Sequence, residues 1–570
     1  MNILGLNYIF HDSTACLVQD GRLTIALEEE RLTRQKHTDA FPLQAIARCL
    51  EIAGLTPDDV DHVAVSYRPG LDWHKKTAYG LKLAVSSPRG LPLFFHGEVM
   101  RFVYRQAAFH RWFESAFPGR RKPTVHYVPH HLAHAAGSFF VSPYESAALL
   151  STDGSGEWAT TFKGVGHGRT FTRLGQDYFP WSQGDVYGAV TEFCGFKQNY
   201  DEGKTMGLAP FGDAATFGDL VARIVTVDDD ARVHVDRSYF DYPSFRGAYS
   251  GKFRETFGEA RKATRGAPFE QHHKDVAAAF QKNLEESLLA IARHLRARTG
   301  AEYLVISGGV ALNSVANGRL VRESGFKDVY VMPAAGDNGT AIGAAFFVHN
   351  HTLGSPRTFI HDDPYVGNEY SRADIRKLLD EFKLSYRVVP EGTLETTAAE
   401  LLQQGHILGW FQGRMEIGPR ALGNRSILAN PTLPGMKDKI NAEVKHREAF
   451  RPFAPSCPIE DTPRFFEQNV ADPFMLKVCY VRPEMRTALP AITHVDGTAR
   501  LQTVHADTNP RYYKLHREFG KLSGFPVLLN TSFNVMGEPI VESPADAVRC
   551  FFTTGLDYLV LGDHLLTKRA

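Results

Sequence analysis

The sequence predicts an α/β protein of two domains, and three observations carry that expectation. A chain of 570 residues with 43% hydrophobic and 22% charged content exceeds one core, because single cores stop growing at roughly 250 to 300 residues. Short β-rich runs alternate with longer amphipathic stretches along most of the chain. A polar segment from Ser355 to Pro364, with a proline near each end, interrupts that alternation and reads as a linker. The expected domains are residues 1–358 and 359–570.

Ile3–Asn7, Ala15–Val18 and Leu23–Leu27 are strand-forming runs, and Gln19-Asp20-Gly21 between the last two predicts a hairpin. A helix is expected from about Asp39 and a strand over Val63–Ser66. Two stretches break the rhythm: Leu71 to about Arg121, aromatic and basic, and Val235 to Gly266, rich in Tyr, Phe and Gly. Both read as insertions or lids. Ala147–Thr152 is a buried strand ending in Asp153-Gly154, and Lys274–Thr299 a long amphipathic helix. That helix leads into the strand Tyr303–Ile306 and the turn Ser307-Gly308-Gly309.

Lys plus Arg and Asp plus Glu both number 64, so no net field favours nucleic acid or an anionic membrane. The N-terminus lacks a basic leader and no apolar run is long enough to span a bilayer, which predicts a soluble, cytoplasmic protein. Six scattered cysteines without a C-x-x-C pair predict buried free thiols.

His130 and His134 sit four apart in a helix-forming segment and can face one metal ion. With 24 histidines in the chain, the spacing alone fits ordinary core or surface histidines better. A zincin would carry Glu after the first histidine, and this chain has His131 there, so a protease lacks its base. Asp153 and Asp337, each beside glycines at a strand end, complete a set of two nitrogens and two oxygens suited to iron, zinc or manganese. The turns Asp153-Gly154-Ser155-Gly156, Ser307-Gly308-Gly309 and Gly336-Asp337-Asn338-Gly339 let backbone N–H groups approach phosphate, although each alone fits an ordinary turn. No P-loop or kinase glycine motif occurs.

These elements, with Tyr200-Asp-Glu-Gly203-Lys204-Thr-Met-Gly-Leu-Ala-Pro210 and Ser307-Gly-Gly-Val-Ala-Leu-Asn313, resemble the NodU/CmcH carbamoyltransferases over nearly the whole chain. The resemblance implies a duplicated actin/hexokinase-like N-terminal domain, similar to the enzyme that makes threonylcarbamoyladenosine on tRNA and to part of HypF. It implies His130, His134, Asp153 and Asp337 as metal ligands, usually for Fe(II), and Gly154, Ser155, Gly203, Gly308, Gly309 and Asn313 around a nucleotide. Lys204 is either a phosphate or carbamoyl contact or a surface lysine. Asp12 or His11, in the loop after the first strand, is the candidate base for an acceptor hydroxyl, with loop capping as the alternative.

In the second half, the segment Gly409–Ser426 concentrates three arginines, and Lys445-His-Arg447, Phe450-Arg451, Arg500 and Ser532-Phe-Asn534 follow. Arginine forks suit phosphate and carbamate oxygens, although any single arginine is more often a salt-bridge partner. These stretches resemble a YrdC-like twisted α/β domain through Lys445 with Arg447 and Ser532 with Asn534. The resemblance implies synthesis of carbamoyl adenylate from carbamoyl phosphate and Mg²⁺-bound ATP, with Arg420, Arg451 and Arg500 neutralising phosphate. The adenylate then passes to the metal domain for transfer to a hydroxyl of a small-molecule acceptor. A sugar kinase of the same fold class is the competing reading, and it leaves the second domain unexplained. Trp73, Tyr79, Phe94 and Phe95 either line an acceptor site or pack within the first insertion.

Overall fold

The computed structural model describes residues 1–119, 122–264, 266–390, 392–468 and 470–568. It divides into two compact units: Met1–Glu29 with His37–Ile360, and Glu30–Lys36 with His361–Ala570. The expected single change of domain near residue 358 is therefore accompanied by a second, local one. Residues 30–36 join the second unit because Arg34 donates to the carbonyls of Pro539 and Ile540, and Arg31 to that of Gly418.

The first unit contains strands β1 (Asn2–Asn7), β2 (Thr14–Gln19), β3 (Arg22–Glu28), β4 (His62–Val65) and β5 (Thr124–Tyr127). Next come β6 (Ser146–Thr152), β7 (Ala159–His167), β8 (Thr170–Tyr178), a small β9 (Val225–Val227) and β10 (Val233–Val235) ribbon, β11 (Tyr303–Ser307) and β12 (Asp328–Val331). Two five-stranded sheets run β3-β2-β1-β4-β5 and β12-β11-β6-β7-β8. In each, the first strand pairs antiparallel with the second and the second with the third. In each, the first strand also pairs parallel with the fourth and the fourth with the fifth. The two halves thus repeat one topology, as a duplicated fold requires. The predicted hairpin, the strand before Asp153 and the long helix all form, the helix over Gln271–Thr299.

Both insertions lie in this unit. The first folds into helices Trp73–Ser86 and Arg101–Ala116 with short turns between, while Arg120 and Arg121 at its end lie outside the described residues. The second is mostly short turns and the helix Gly251–Phe257. The two insertions pack on each other: the Tyr79 hydroxyl donates to the Pro243 carbonyl at 2.6 Å, and Phe94 meets Phe245 edge-on at 5.2 Å. Phe94 is accordingly buried packing, whereas Phe95 is exposed and Trp73 lies at the margin of exposure.

The second unit contains β13 (Tyr386–Val388), β14 (Leu408–Phe411), β15 (Arg425–Ala429), β16 (Ala454–Pro458), β17 (Phe466–Glu467), β18 (Val478–Val481), β19 (Thr498–Arg500), β20 (Gln502–Val504), β21 (Leu528–Ser532), β22 (Tyr558–Leu561) and β23 (His564–Thr567). Eight of them form one mixed sheet, β13-β23-β22-β14-β15-β21-β16-β20, with apolar clusters on both faces. β17, β18 and β19 form a second sheet. All six cysteines are buried and free. No helix among the described residues is long and apolar enough to cross a membrane.

One close approach sets the geometry of the first unit. Helix His130–Phe139 crosses helix Thr340–Phe346 where Gly137 meets Gly343: a Cβ on Gly343 would lie 1.8 Å from the Ala133 carbonyl oxygen. Gly343→Ala should therefore lower the free energy of unfolding in urea by about 1–3 kcal/mol, the usual cost of overpacking. An unchanged unfolding midpoint would exclude so close a crossing.

Candidate functional site

The crossing brings together the starts of both helices. His130 opens its helix after Pro129, whose side chain cannot cap the amide. The buried carboxylate of Glu157 does so instead, accepting from the His130 amide at 3.0 and 3.2 Å and from the Arg68 amide at 2.7 Å. One turn on, His134 Nε2 lies 3.0 Å from His130 Nε2 and 2.9 Å from Asp153 Oδ2. Asp337 Oδ1 lies 3.4 Å from both ring nitrogens. Ligand atoms of His130, His134, Asp153 and Asp337 all fall within 4.8 Å of one another.

Two imidazole nitrogens facing each other and two carboxylates at one point suit a divalent cation of the transition series. Electrostatics agree: burial opposes charge on Asp153 and Asp337, yet the neighbouring histidines hold both carboxyls below their ordinary range. His131, between the two candidate ligands, is structural. Its ring bonds Ser151 Oγ and the Ala159 carbonyl, and burial, then His130 and His134, push it down to about 3.

The glycine turns border this quartet. Gly308 has φ +89° and no room for a Cβ, which would lie 2.1 Å from the Thr152 carbonyl oxygen, while its amide bonds Ala335. It so ties the strand end before Asp153 to the turn before Asp337. A Cβ on Gly309 would come within 2.9 Å of Asp153 Oδ1. The Gly154 amide already donates to Asp153 Oδ1 at 2.7 Å, and Ser155 follows in the same loop.

His11 and Asp12 lie beside the quartet. His11 Nε2 is 3.9 Å from Asp337 Oδ2, and its Nδ1 is 2.9 Å from Asp12 Oδ2. Asp12 Oδ1 meets His37 Nδ1 at 2.7 Å, and the His37 ring rests against Tyr200. Although burial alone would lower it, the carboxylates of Asp337 and Asp12 push His11 up to about 10. His11 and His37 pull Asp12 far below the usual carboxylate range against the effect of burial.

Other expected residues are placed differently. Asn313 caps helix Ser314–Glu323 through the Ala316 amide and exchanges hydrogen bonds with Gln281, so its amide is used internally. Lys204 pairs with Asp201 at 3.0 Å, and Gly203 sits in the same short helix, Glu202–Leu208. Neither Asn313 nor Lys204 touches the quartet in this structure. Three contributors had no sequence signal: Glu157, His37 and Asp185. Asp185 Oδ1 would lie 3.3 Å from a Cβ on Gly154, and burial with the Asp153 charge pushes its carboxyl up to about 7.

In the second unit, the motif pairs meet across the fold. Lys445 Nζ donates to the carbonyl and hydroxyl of Ser532 and, at 3.0 and 2.9 Å, to the carbonyl and Oδ1 of Asn534. Arg447 donates to Asn441 Oδ1 at 2.8 Å and lies over the Phe453 ring. Of the three arginines in the first stretch, Arg414 and Arg425 serve backbone carbonyls, including Val366 and Gln412. Only Arg420 joins the cations. Burial, then Arg500 and Arg451, depress Arg420, and burial, then Arg451 and Arg500, depress Arg447. Burial and Arg451 push Arg500 down to about 10. Lys445 is depressed by burial, then Arg447, with Lys36 of the 30–36 segment adding to the same field. The Nε atoms of Arg420 and Arg500 are buried and without a partner. Such a basin of mutually repelling donors fits phosphate and carbamate oxygens.

Asp337→Asn should reduce bound divalent metal to a small fraction of the wild-type content by elemental analysis, and abolish any metal-dependent rise in Tm. Stoichiometric metal in that variant would rule out the quartet. Glu157→Gln keeps the ligands but breaks part of the helix cap, so stability should fall by about 1–3 kcal/mol and metal affinity with it.

Residues 2–346 match the family model of the carbamoyltransferase N-terminus, and residues 399–568 that of the carbamoyltransferase C-terminus. An uncharacterised protein of Synechocystis is 39% identical, covering 100% of this chain and 97% of that one. Nodulation protein NolNO of Sinorhizobium fredii is 39% identical over 99% of this chain and 80% of its own. The 3'-hydroxymethylcephem-O-carbamoyltransferase of Streptomyces clavuligerus is 34% identical over 64% of each chain. Among solved structures, full-length HypF in its phosphate- and nucleotide-bound form aligns over 61% of this chain and 46% of its own, with 15% identity and a TM-score of 0.33. Matched in both halves, and carrying the histidine–aspartate quartet in one unit and the cation basin in the other, the chain belongs to the carbamoyltransferase family.

Proposed function

We propose that this protein is an ATP-dependent O-carbamoyltransferase that forms carbamoyl adenylate in its second unit and transfers the carbamoyl group to a small-molecule hydroxyl in its first. The observation that carries this reading is the basin around Arg420, Arg447, Arg451, Arg500 and Lys445, in which the buried Nε atoms of Arg420 and Arg500 lack a partner. A kinase of the first unit's topology would have no use for it.

Carbamoyl phosphate first loses phosphate to water, giving carbamate. A carbamate oxygen then attacks the α-phosphorus of Mg²⁺-bound ATP and pyrophosphate leaves, while the basin's guanidinium groups neutralise the charge developing on the phosphates. Ser532 and Asn534 hold the Lys445 ammonium by four contacts, so that its charge is fixed before substrate arrives. In the first unit, His130, His134, Asp153 and Asp337 would hold a divalent cation, Fe(II) by family resemblance, whose chemistry is Lewis-acid stabilisation of the adenylate phosphate. The turns at Gly154-Ser155 and Gly308-Gly309 admit phosphate close to the backbone. The acceptor oxygen forms the new bond to the carbamoyl carbon as AMP departs. With a cation on Asp337 offsetting the carboxylate charge that keeps His11 protonated, His11, oriented by Asp12, would then take the acceptor's proton. One relative's name places the group on a hydroxymethylcephem, and a hydroxylated small molecule is the acceptor class proposed here.

Incubation with ATP, carbamoyl phosphate and a panel of hydroxylated compounds should release AMP and pyrophosphate and add a carbamoyl mass increment to an acceptor. ADP with a phosphorylated product would instead establish a kinase. Lys445→Ala should slow AMP release from carbamoyl phosphate by about 10²–10³-fold, the scale of losing a key charge stabiliser, yet spare transfer from supplied carbamoyl adenylate. Full activity from carbamoyl phosphate in that variant would overturn the division of labour.

A further inference from the structure

The two insertions border a half-open cavity of about 450 Å³ whose lining includes Tyr79, Lys82 and Ser87 from the first and Arg237, Phe240 and Asp241 from the second. Its walls are built: Tyr79 bridges to Pro243, and a Cβ on Gly90 would strike the Ser244 carbonyl oxygen at 1.9 Å, so the insertions are packed rather than merely adjacent. Its charges are not balanced internally. Arg246 spends its guanidinium on Asp241 at 3.3 Å. Lys82 and Arg237 also face the cavity and have no ion-pair or hydrogen-bond partner among the described residues. Among the lining residues, Ser87 is 7% exposed and its Oγ is buried without a partner. An unpartnered buried hydroxyl costs free energy unless a ligand or water completes it.

We propose that this cavity binds a phosphorylated sugar or similar polyol phosphate. Two unpaired cations and the buried Ser87 hydroxyl suit a phosphate monoester, the Asp241 carboxylate can accept from sugar hydroxyls, and Leu83 and Phe240 supply an apolar face. The volume lies within the range of small-ligand sites. Apart from Tyr79, whose hydroxyl is used in packing on Pro243, the site uses none of the residues given a part in carbamoyl transfer, so it stands or falls independently of that reading.

The test is calorimetric titration with glucose 6-phosphate, with glucose as the uncharged control, of the wild-type protein and of the double variant Lys82→Ala/Arg237→Ala. Both substituted side chains are exposed, so the variant should keep the wild-type Tm and its carbamoyl-transfer activity on a small acceptor. Glucose 6-phosphate should bind the wild type with an affinity that falls as salt rises, and the double variant should bind at least about tenfold more weakly, the effect of about 1.4 kcal/mol. Ser87→Val should weaken binding as well. Equal affinity in wild type and double variant would place the phosphate elsewhere, and the absence of binding to the wild type at millimolar concentration would overturn the site outright.

Discussion

Everything at the histidine–aspartate quartet depends on how closely two helices can pass. His130 and His134 belong to one helix, and Asp337 sits in the single turn that leads into the other. Those helices meet at Gly137 and Gly343, where any larger residue would force backbone against side chain. Because ligand atoms must converge within a few ångströms to share one cation, the absence of side chains at that crossing is what lets the histidine and aspartate ends meet. Gly308 performs the corresponding task for the sheet, lying against the Thr152 carbonyl at the end of β6 while its amide donates to the Ala335 carbonyl in the turn after β12. The duplicated topology places strand ends there twice, and the glycines bring them into register.

Charge organises the two units in opposite ways. In the first, carboxylates and imidazoles compensate one another: burial penalises each ion, and the partner offsets the penalty. In the second, cations face cations, so burial and repulsion act in the same direction on Arg420, Arg447 and Lys445. A basin of that kind costs folding free energy without its ligand and is stabilised by any anion that enters, by RT ln(1 + c/Kd) for an anion at concentration c. The Lys445 ammonium avoids part of the cost by its hydrogen bonds to Ser532 and Asn534. That is why two motifs 87 residues apart in sequence belong to one device.

Much of this was legible in the sequence, for identifiable physical reasons. The hairpin, the strand before Asp153 and the long helix follow from periodicity and turn chemistry, which are local. The His130–His134 spacing is set by the pitch of a single helix and needed only its carboxylate partners. What escaped was tertiary. Glu157 caps a helix that begins 27 residues earlier, and His37 reaches Asp12 across 25 residues, so neither leaves a motif. The repetition of strand order is invisible because it conserves topology, not residues. The Glu30–Lys36 segment reads as ordinary polar chain until Arg31 and Arg34 meet carbonyls around 400 to 500 residues away. Asn313 shows the converse: a motif asparagine whose amide is used for capping and packing.

The backbone around Asp12 carries a last piece of the design. Asp12 and His37 both adopt left-handed conformations, φ 54° in each, although neither is glycine. Such conformations cost on the order of 1–3 kcal/mol and persist only where surroundings over-determine them. Here they do: the Asn7 amide donates to the carbonyls of both His11 and Asp12, Thr14 donates to the latter, and two imidazoles grip the Asp12 carboxylate. A carboxylate fixed by two rings cannot rotate away when a substrate arrives, so His11 is held facing Asp337 in advance. The local strain therefore purchases orientation at the residue proposed to receive the acceptor proton, where a side chain free to rotate would be in position only part of the time.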